Sequence, residues 1–249
     1  MTRVLLLGGT TEATALARLL AEARVDAIFS YAGRTDKPMA QPLPMRVGGF
    51  GGVAGLVAYL RAEKISHVVD ATHPFAAQMS TNAVAACAEA GVPLVGLERP
   101  GWHAEEGDAW THVADMGGAV AALPSEGARV FLAIGKQHVS DFAVKPGNFY
   151  LLRLVDPPKA ALPLPNAEAV IARGPFDLAS DRQLLERHAI THIVAKNGGG
   201  AGARAKLDAA RALGLPVVLV DRPHVPPRRV LTSADAVMAW LDHSADLGV

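Results

Sequence analysis

The chain has 249 residues, half of them hydrophobic and 19% charged, with 24 Lys and Arg balancing 24 Asp and Glu. This hydrophobicity without net charge excludes an intrinsically disordered chain, and the even balance argues against a general nucleic-acid binder. A single cysteine, Cys87, excludes an intramolecular disulfide and a zinc site of several thiolates, and no apolar run reaches the ~18 residues of a membrane span.

Arg3 precedes the short apolar run Val4 to Leu7, and Thr10, Thr11 and Glu12 follow at once. That is no signal-peptide core, so a cytoplasmic protein is expected. Val4 to Leu7, ending in Gly8-Gly9, predicts a buried parallel strand. Thr11 to Ala23 carries Ala13, Leu16, Ala17, Leu20 and Ala21 on one helical face. Val25 to Tyr31 predicts a strand, Gly51 to Lys64 a helix and Ile65 to Asp70 a strand. Ala76 to Ala90 predicts a helix, in which Cys87 is a small buried apolar residue, and Val92 to Leu97 a strand.

The second half repeats the alternation. Strands are predicted over Arg129 to Ile134, Phe149 to Val155, Ala167 to Ile171, Thr191 to Ala195 and Pro216 to Val220. Helices are predicted over Asp177 to His188, Arg204 to Leu213 and Ala234 to His243. An internal repeat supports two similar halves: Ile65-Ser66-His67-Val68-Val69 matches Ile190-Thr191-His192-Ile193-Val194. Gly91-Val92-Pro93-Leu94-Val95 likewise matches Gly214-Leu215-Pro216-Val217-Val218. The class is α/β: two Rossmann-like parallel-sheet domains, with a cleft between them as the expected site. The polar stretch Glu98 to Asp108 is the expected junction, giving domains 1–98 and 99–249.

Four constellations carry chemistry. Gly8-Gly9-Thr10-Thr11-Glu12 follows the first strand, where glycines let a phosphate approach the backbone and a helix N-terminus offers N–H groups. The two threonines add hydroxyls. The pattern is neither G-x-G-x-x-G nor a P-loop. Ser30-Tyr31-Ala32-Gly33-Arg34-Thr35 ends the second strand. An acidic residue at that place holds the ribose 2′-OH of NAD; a hydroxyl with a guanidinium suits a 2′-phosphate instead. Ser30 and Arg34 therefore predict NADPH over NADH by about one to two orders of magnitude.

Asp70-Ala71-Thr72-His73-Pro74-Phe75 ends the third strand, on the edge where ligands of open α/β sheets bind. Pro74 stiffens this loop, His73 is a candidate proton donor, and Asp70 is read as a cap or loop anchor. The fourth set is basic: Lys136, Arg153, Lys196 with Asn197, and Arg204 lie at or near strand ends of the second half. Lys136 and Lys196 are expected where Gly9 and Ala71 stand in the first. Such groups suit a polyanionic substrate. No metal site is expected, because no histidine pair falls on a shared helix face. Trp102, Trp110 and Trp240 are read as core or interface residues.

These motifs resemble the precorrin-6A reductase family of cobalamin biosynthesis. The resemblance rests on Gly8 to Glu12, Ser30 to Thr35, Asp70-Ala71-Thr72-His73-Pro74-Phe75-Ala76 and Lys196-Asn197-Gly198-Gly199, and spans almost the whole chain. The last motif often carries Ser where this chain has Gly198. The resemblance implies NADPH-dependent reduction of the C18–C19 double bond of a corrinoid precursor, with no metal or flavin. It implies cofactor contacts from Gly8, Gly9, Thr10, Thr11, Ser30, Tyr31, Arg34, Thr72, His73 and Pro74. The substrate is then a tetrapyrrole rich in carboxylates, which accords with the basic set. Two other readings stand beside it: an NADPH-binding sensor module, or an NADPH reductase of another small anionic substrate. The second lacks a Tyr-x-x-x-Lys pair. A monomer is expected, since no long amphipathic seam advertises a partner.

Overall fold

A computed structural model describes residues 2–33, 38–158, 160–174 and 176–246. The chain forms two compact units, one of Met1–Pro100 with His224–Val249 and one of Gly101–Pro223. The first unit opens with β1 (Arg3–Leu7), α1 (Thr11–Glu22), β2 (Asp26–Tyr31) and β3 (Met45–Val47). It continues with α2 (Gly52–Ala62), β4 (His67–Asp70), α3 (Ala77–Ala90) and β5 (Leu94–Leu97). The second holds β6 (Trp110–Val113), α4 (Met116–Ala122), β7 (Glu126–Ala133), β8 (Gly147–Leu154) and β9 (Ala167–Ile171). After these come α5 (Leu178–Arg187), β10 (His192–Lys196), α6 (Ala205–Leu213) and β11 (Val217–Val220). The chain then returns to the first unit with β12 (Arg229–Leu231) and α7 (Ala234–Asp246).

The sheet orders are β12-β5-β4-β1-β2-β3 and β6-β11-β10-β7-β8-β9, and all strand pairs are parallel. The α/β class with two parallel sheets is as the sequence predicts. The boundary differs. Residues 224–249 belong to the first unit, not to a second domain running 99–249. β12 pairs with β5, and Val237 and Leu241 of α7 join Leu16 and Leu20 of α1 in one buried cluster. Burial of that apolar face draws the C-terminus back, and a three-residue strand after Pro226-Pro227 carries too little pattern to announce it. The short strands β3 and β6 escape the sequence reading for the same reason.

The internal repeat is a structural device. Ser66 Oγ takes the Arg3 N–H at 2.8 Å, and Thr191 Oγ1 takes the Arg129 N–H at 3.0 Å, tying β4 to β1 and β10 to β7. Val4 pairs with His67, and Val130 with His192, so the β1–β4 and β7–β10 pairs share one register. This register corrects one expectation. Ala133 takes the place of Leu7, so Lys136 matches Thr10 rather than Gly9, while Lys196 matches Ala71 as expected.

The three tryptophans pack in or against the apolar clusters. Cys87 is buried in α3, and burial, with Asp70 adding to it, pushes its thiol up to about 12. It is a packing residue, not a nucleophile at neutral pH. Among the described residues, no helix is long and apolar enough to cross a membrane.

Burial also holds the His67 and His192 imidazoles below the usual histidine range. His67 lies edge-on to Trp240 at 5.3 Å, and its Nε2 has no hydrogen-bond partner among the described residues. The unfolded chain takes up these protons from about pH 6.5 downward while the folded chain resists them. Stability is therefore fully present above about pH 6.5 and falls below it. Melting temperatures at pH 7.5 and 5.5 should show a loss at the lower pH that shrinks in His67→Gln. An unchanged slope would remove His67 from this linkage.

Candidate functional site

The parallel strands bring the ends of β1, β2 and β4 to one edge of the first sheet, at Leu7, Tyr31 and Asp70. A cavity of about 320 Å³ opens there. Gly8, Gly9, Tyr31, Thr72 and His73, all expected from the sequence, line it. Ala32, Gly33, Pro38, Phe75, Ala76, Gln78 and Met79 complete the wall. Pro38, Gln78 and Met79 carry no motif of their own. They follow from the helix that continues the Thr72-His73-Pro74 loop and from the chain beyond β2.

The glycines are needed for different reasons. A Cβ on Gly8 would lie 2.1 Å from the Phe29 ring, so the turn after β1 packs directly on that ring. Gly9 has φ +136°, a backbone that other residues rarely adopt, and the space beside its Cα is open. The open side lets a ligand reach the backbone.

Thr10 caps α1. Its Oγ1 accepts the Ala13 N–H at 3.1 Å and donates to the Ala71 carbonyl at 2.8 Å. Its one hydroxyl hydrogen is thus used to clip the β1 turn to the β4 turn, and that of Thr11 is given to Glu12 Oε2 at 3.1 Å, so both expected hydroxyl donors of this turn have protein acceptors. Thr11 is exposed beside Glu12. A carboxylate in the first helical turn repels an anion, but Arg99 pairs with Glu12 at 2.9 Å and offsets it.

Ser30 is 4% exposed, and its Oγ accepts from Arg46 Nη1 at 2.7 Å. Arg46 also donates to the Gly48 carbonyl at 3.0 Å and stacks on Phe50 with its guanidinium carbon 3.8 Å from the ring centre. The sequence reading missed this arginine, because its nearness to Ser30 comes only from the β2–β3 register. Arg34 lies outside the described residues.

Asp70 Oδ1 accepts the Thr72 N–H at 3.2 Å and its hydroxyl at 2.7 Å, so the carboxylate shapes the loop as its anchor. His73 Nδ1 accepts the Phe75 N–H at 3.2 Å, which in the neutral ring leaves the hydrogen on Nε2. Pro74 sits between these two residues and is not part of the cavity wall.

The basic set of the second unit divides. Lys136 is exposed just past β7, and Lys196 is the last residue of β10, only partly buried. The Arg153 side chain is 9% exposed: both its Nη groups donate to Asp181, and its guanidinium carbon lies 4.0 Å from the Phe176 ring centre. Asn197 is buried as well, with its amide oxygen on the Trp102 N–H at 2.7 Å and its amide nitrogen on the Trp102 carbonyl at 3.1 Å. Arg204 is engaged by Glu105 at 3.0 Å and Asp208 at 3.1 Å. Arg153, Asn197 and Arg204 are therefore tied to partners within the fold. No cluster of three or more His, Cys, Asp or Glu suited to a metal ion occurs among the described residues.

The cavity wall has a glycine turn and the start of α3, with no acidic residue among those lining it, and Arg46 is held on Ser30 near the end of β2. That donor set fits a nucleotide carrying phosphates.

The family model for the precorrin-6x reductases CbiJ/CobK matches residues 3–242. The precorrin-6A reductase of Rhodobacter capsulatus is 65% identical over 246 residues, covering 98% of each chain. That of Rhodococcus erythropolis is 45% identical over 243 residues, 97% of this chain and 98% of its own. The cobalt-precorrin-6A reductase of Priestia megaterium is 27% identical over 254 residues, 94% and 96% of the two chains. A solved structure of CobK precorrin-6A reductase superposes with a TM-score of 0.94 at 65% identity, covering 98% of this chain and 97% of that one. With a family match across nearly its full length and the same fold in a 65% identical relative, this chain belongs to the precorrin-6x reductase family.

Proposed function

We propose that the chain is an NADPH-dependent reductase of precorrin-6A, acting on the C18–C19 double bond of the macrocycle. The observation that carries this is the cavity at the ends of β1, β2 and β4, where five of the expected cofactor residues meet. When bound, NADPH supplies a hydride to the conjugated substrate. The protein's own residues supply position and charge. Gly8, Gly9 and the start of α1 receive the phosphates, with Thr11 beside them. Ser30 with Arg46, joined by Arg34, favours a 2′-phosphate at the end of β2, where an acidic residue would repel it. Tyr31, Thr72 and His73 flank the remainder.

Lys136, which is exposed just past β7, and Lys196, at the end of β10, bring positive charge to the strand ends for the substrate's carboxylates. Asn197 and Arg204, held by Trp102 and by Glu105 and Asp208, shape the segment that follows Lys196. The free substrate without cobalt is favoured, because the 65% and 45% identical relatives are named for precorrin-6A, whereas the cobalt-precorrin-6A enzyme of P. megaterium is only 27% identical.

Titration of NADPH and NADH against the wild type and Arg34→Ala tests the cofactor. NADPH should bind at least about tenfold tighter, and Arg34→Ala should erase most of that difference. Equal binding of both nucleotides by the wild type overturns the choice of NADPH. For the chemical step, His73→Gln should lower turnover of precorrin-6A by well under about a thousandfold, since general-acid help is worth about 10²–10⁴ where it is needed. Complete loss of turnover with NADPH binding intact would make His73 the essential proton donor.

A further inference from the structure

Arg228 is 8% exposed and lies one residue before β12, in the segment that returns to the first unit after residue 223. Its Nη2 reaches Asp70 Oδ2 at 3.2 Å and Glu98 Oε1 at 2.6 Å. The path runs over Gly96 of β5, where a Cβ would lie 2.9 Å from Arg228 Nε. A glycine in the middle of that strand leaves room for the side chain. Asp70 is 1% exposed, and its other oxygen holds both the N–H and the hydroxyl of Thr72. Thr72 and the next residue, His73, line the cavity.

We propose that Arg228 is a positioning residue for the cofactor loop, acting through Asp70 to hold Thr72 and His73 at the cavity wall. The inference rests on the cofactor reading above. A buried carboxylate needs a paired cation. Without Arg228, the Asp70 and Glu98 carboxylates lose the guanidinium they share. Asp70 is then left buried without the cation that fixes its place, and its carboxylate turns away toward water, which weakens its grip on the two Thr72 donors. The loop loosens at the residues that meet the cofactor. The cation comes from the last part of the chain, so the cavity is complete only once the C-terminal segment has docked.

The test measures NADPH affinity and steady-state turnover of precorrin-6A for the wild type, Arg228→Gln, Arg228→Lys and Gly96→Ala. Arg3→Gln, which loses an ion pair to Glu63 at the opposite end of β1, is the control for stability alone. Arg228→Gln should raise the NADPH Kd and KM about tenfold while kcat at saturating NADPH falls less than about threefold. Arg228→Lys should recover part of the affinity. Gly96→Ala should shift the Kd in the same direction by pushing the guanidinium aside, and it serves if Arg228→Gln does not fold. Arg3→Gln should melt earlier with an unchanged Kd. A wild-type NADPH Kd in folded Arg228→Gln or folded Gly96→Ala overturns the proposal. A wild type that binds no NADPH overturns the cofactor reading, and this proposal with it.

Discussion

Gly8→Ala is expected to cost about 3 kcal/mol of stability, the upper end of the usual range for overpacking, and to raise the NADPH Kd at least about tenfold. The new methyl would lie 2.1 Å from Phe29 Cε1 and Cζ. Phe29 has no exposed surface, and its ring packs against Tyr31 with centres 4.6 Å apart, so it has no free direction in which to move. The backbone must shift instead, and that backbone is the wall of the cavity. Urea unfolding and an NADPH titration check both effects. Phe29→Leu in the same chain should return part of the stability, since the two positions are in direct contact. A Gly8→Ala protein as stable as the wild type would show that the turn after β1 has room to relax.

Arg153→Met should cost about 3–5 kcal/mol, because it leaves Asp181 buried and unpaired. The side chains of the pair are 9% and 3% exposed, so solvent screens them little. The double variant Arg153→Met with Asp181→Leu should recover most of that loss, as apolar groups of similar volume then fill the space. Its KM for precorrin-6A should equal that of the wild type. If the double variant is stable but its KM rises strongly, Arg153 meets the substrate, as its place at a strand end suggests from the sequence alone.

These two positions show where sequence reasoning holds and where it stops. Gly8 is legible because a glycine pair directly after an apolar strand and before a capped helix has few explanations, and its place at the carboxyl edge follows from parallel pairing. Thr72 and His73 are legible on the same ground. Arg153 is not. Its place at a strand end is visible, but whether its charge faces a ligand or a buried aspartate depends on α5, far along the chain. Thr10 shows the same limit on a smaller scale: its residue type suits a phosphate, yet its hydroxyl closes a contact with Ala71. Arg46 and Arg228 reach the site region only through a three-residue strand and a C-terminal return.

Local and periodic features were legible along the chain: the α/β class, the order of the main strands and helices, the two similar halves and the strand-end loops of the first unit. Those follow from hydrophobic periodicity, glycine placement and the directionality of parallel sheets, all of which act over a few residues to one βαβ unit. Which charges are tied up in buried pairs, and to which unit the last residues belong, emerged only from the packing of distant segments. Pairing of Arg228 with Asp70 and of Arg153 with Asp181 joins residues 158 and 28 positions apart. Such pairs form because buried charges must be neutralised wherever packing has placed them, and packing is a property of the whole chain.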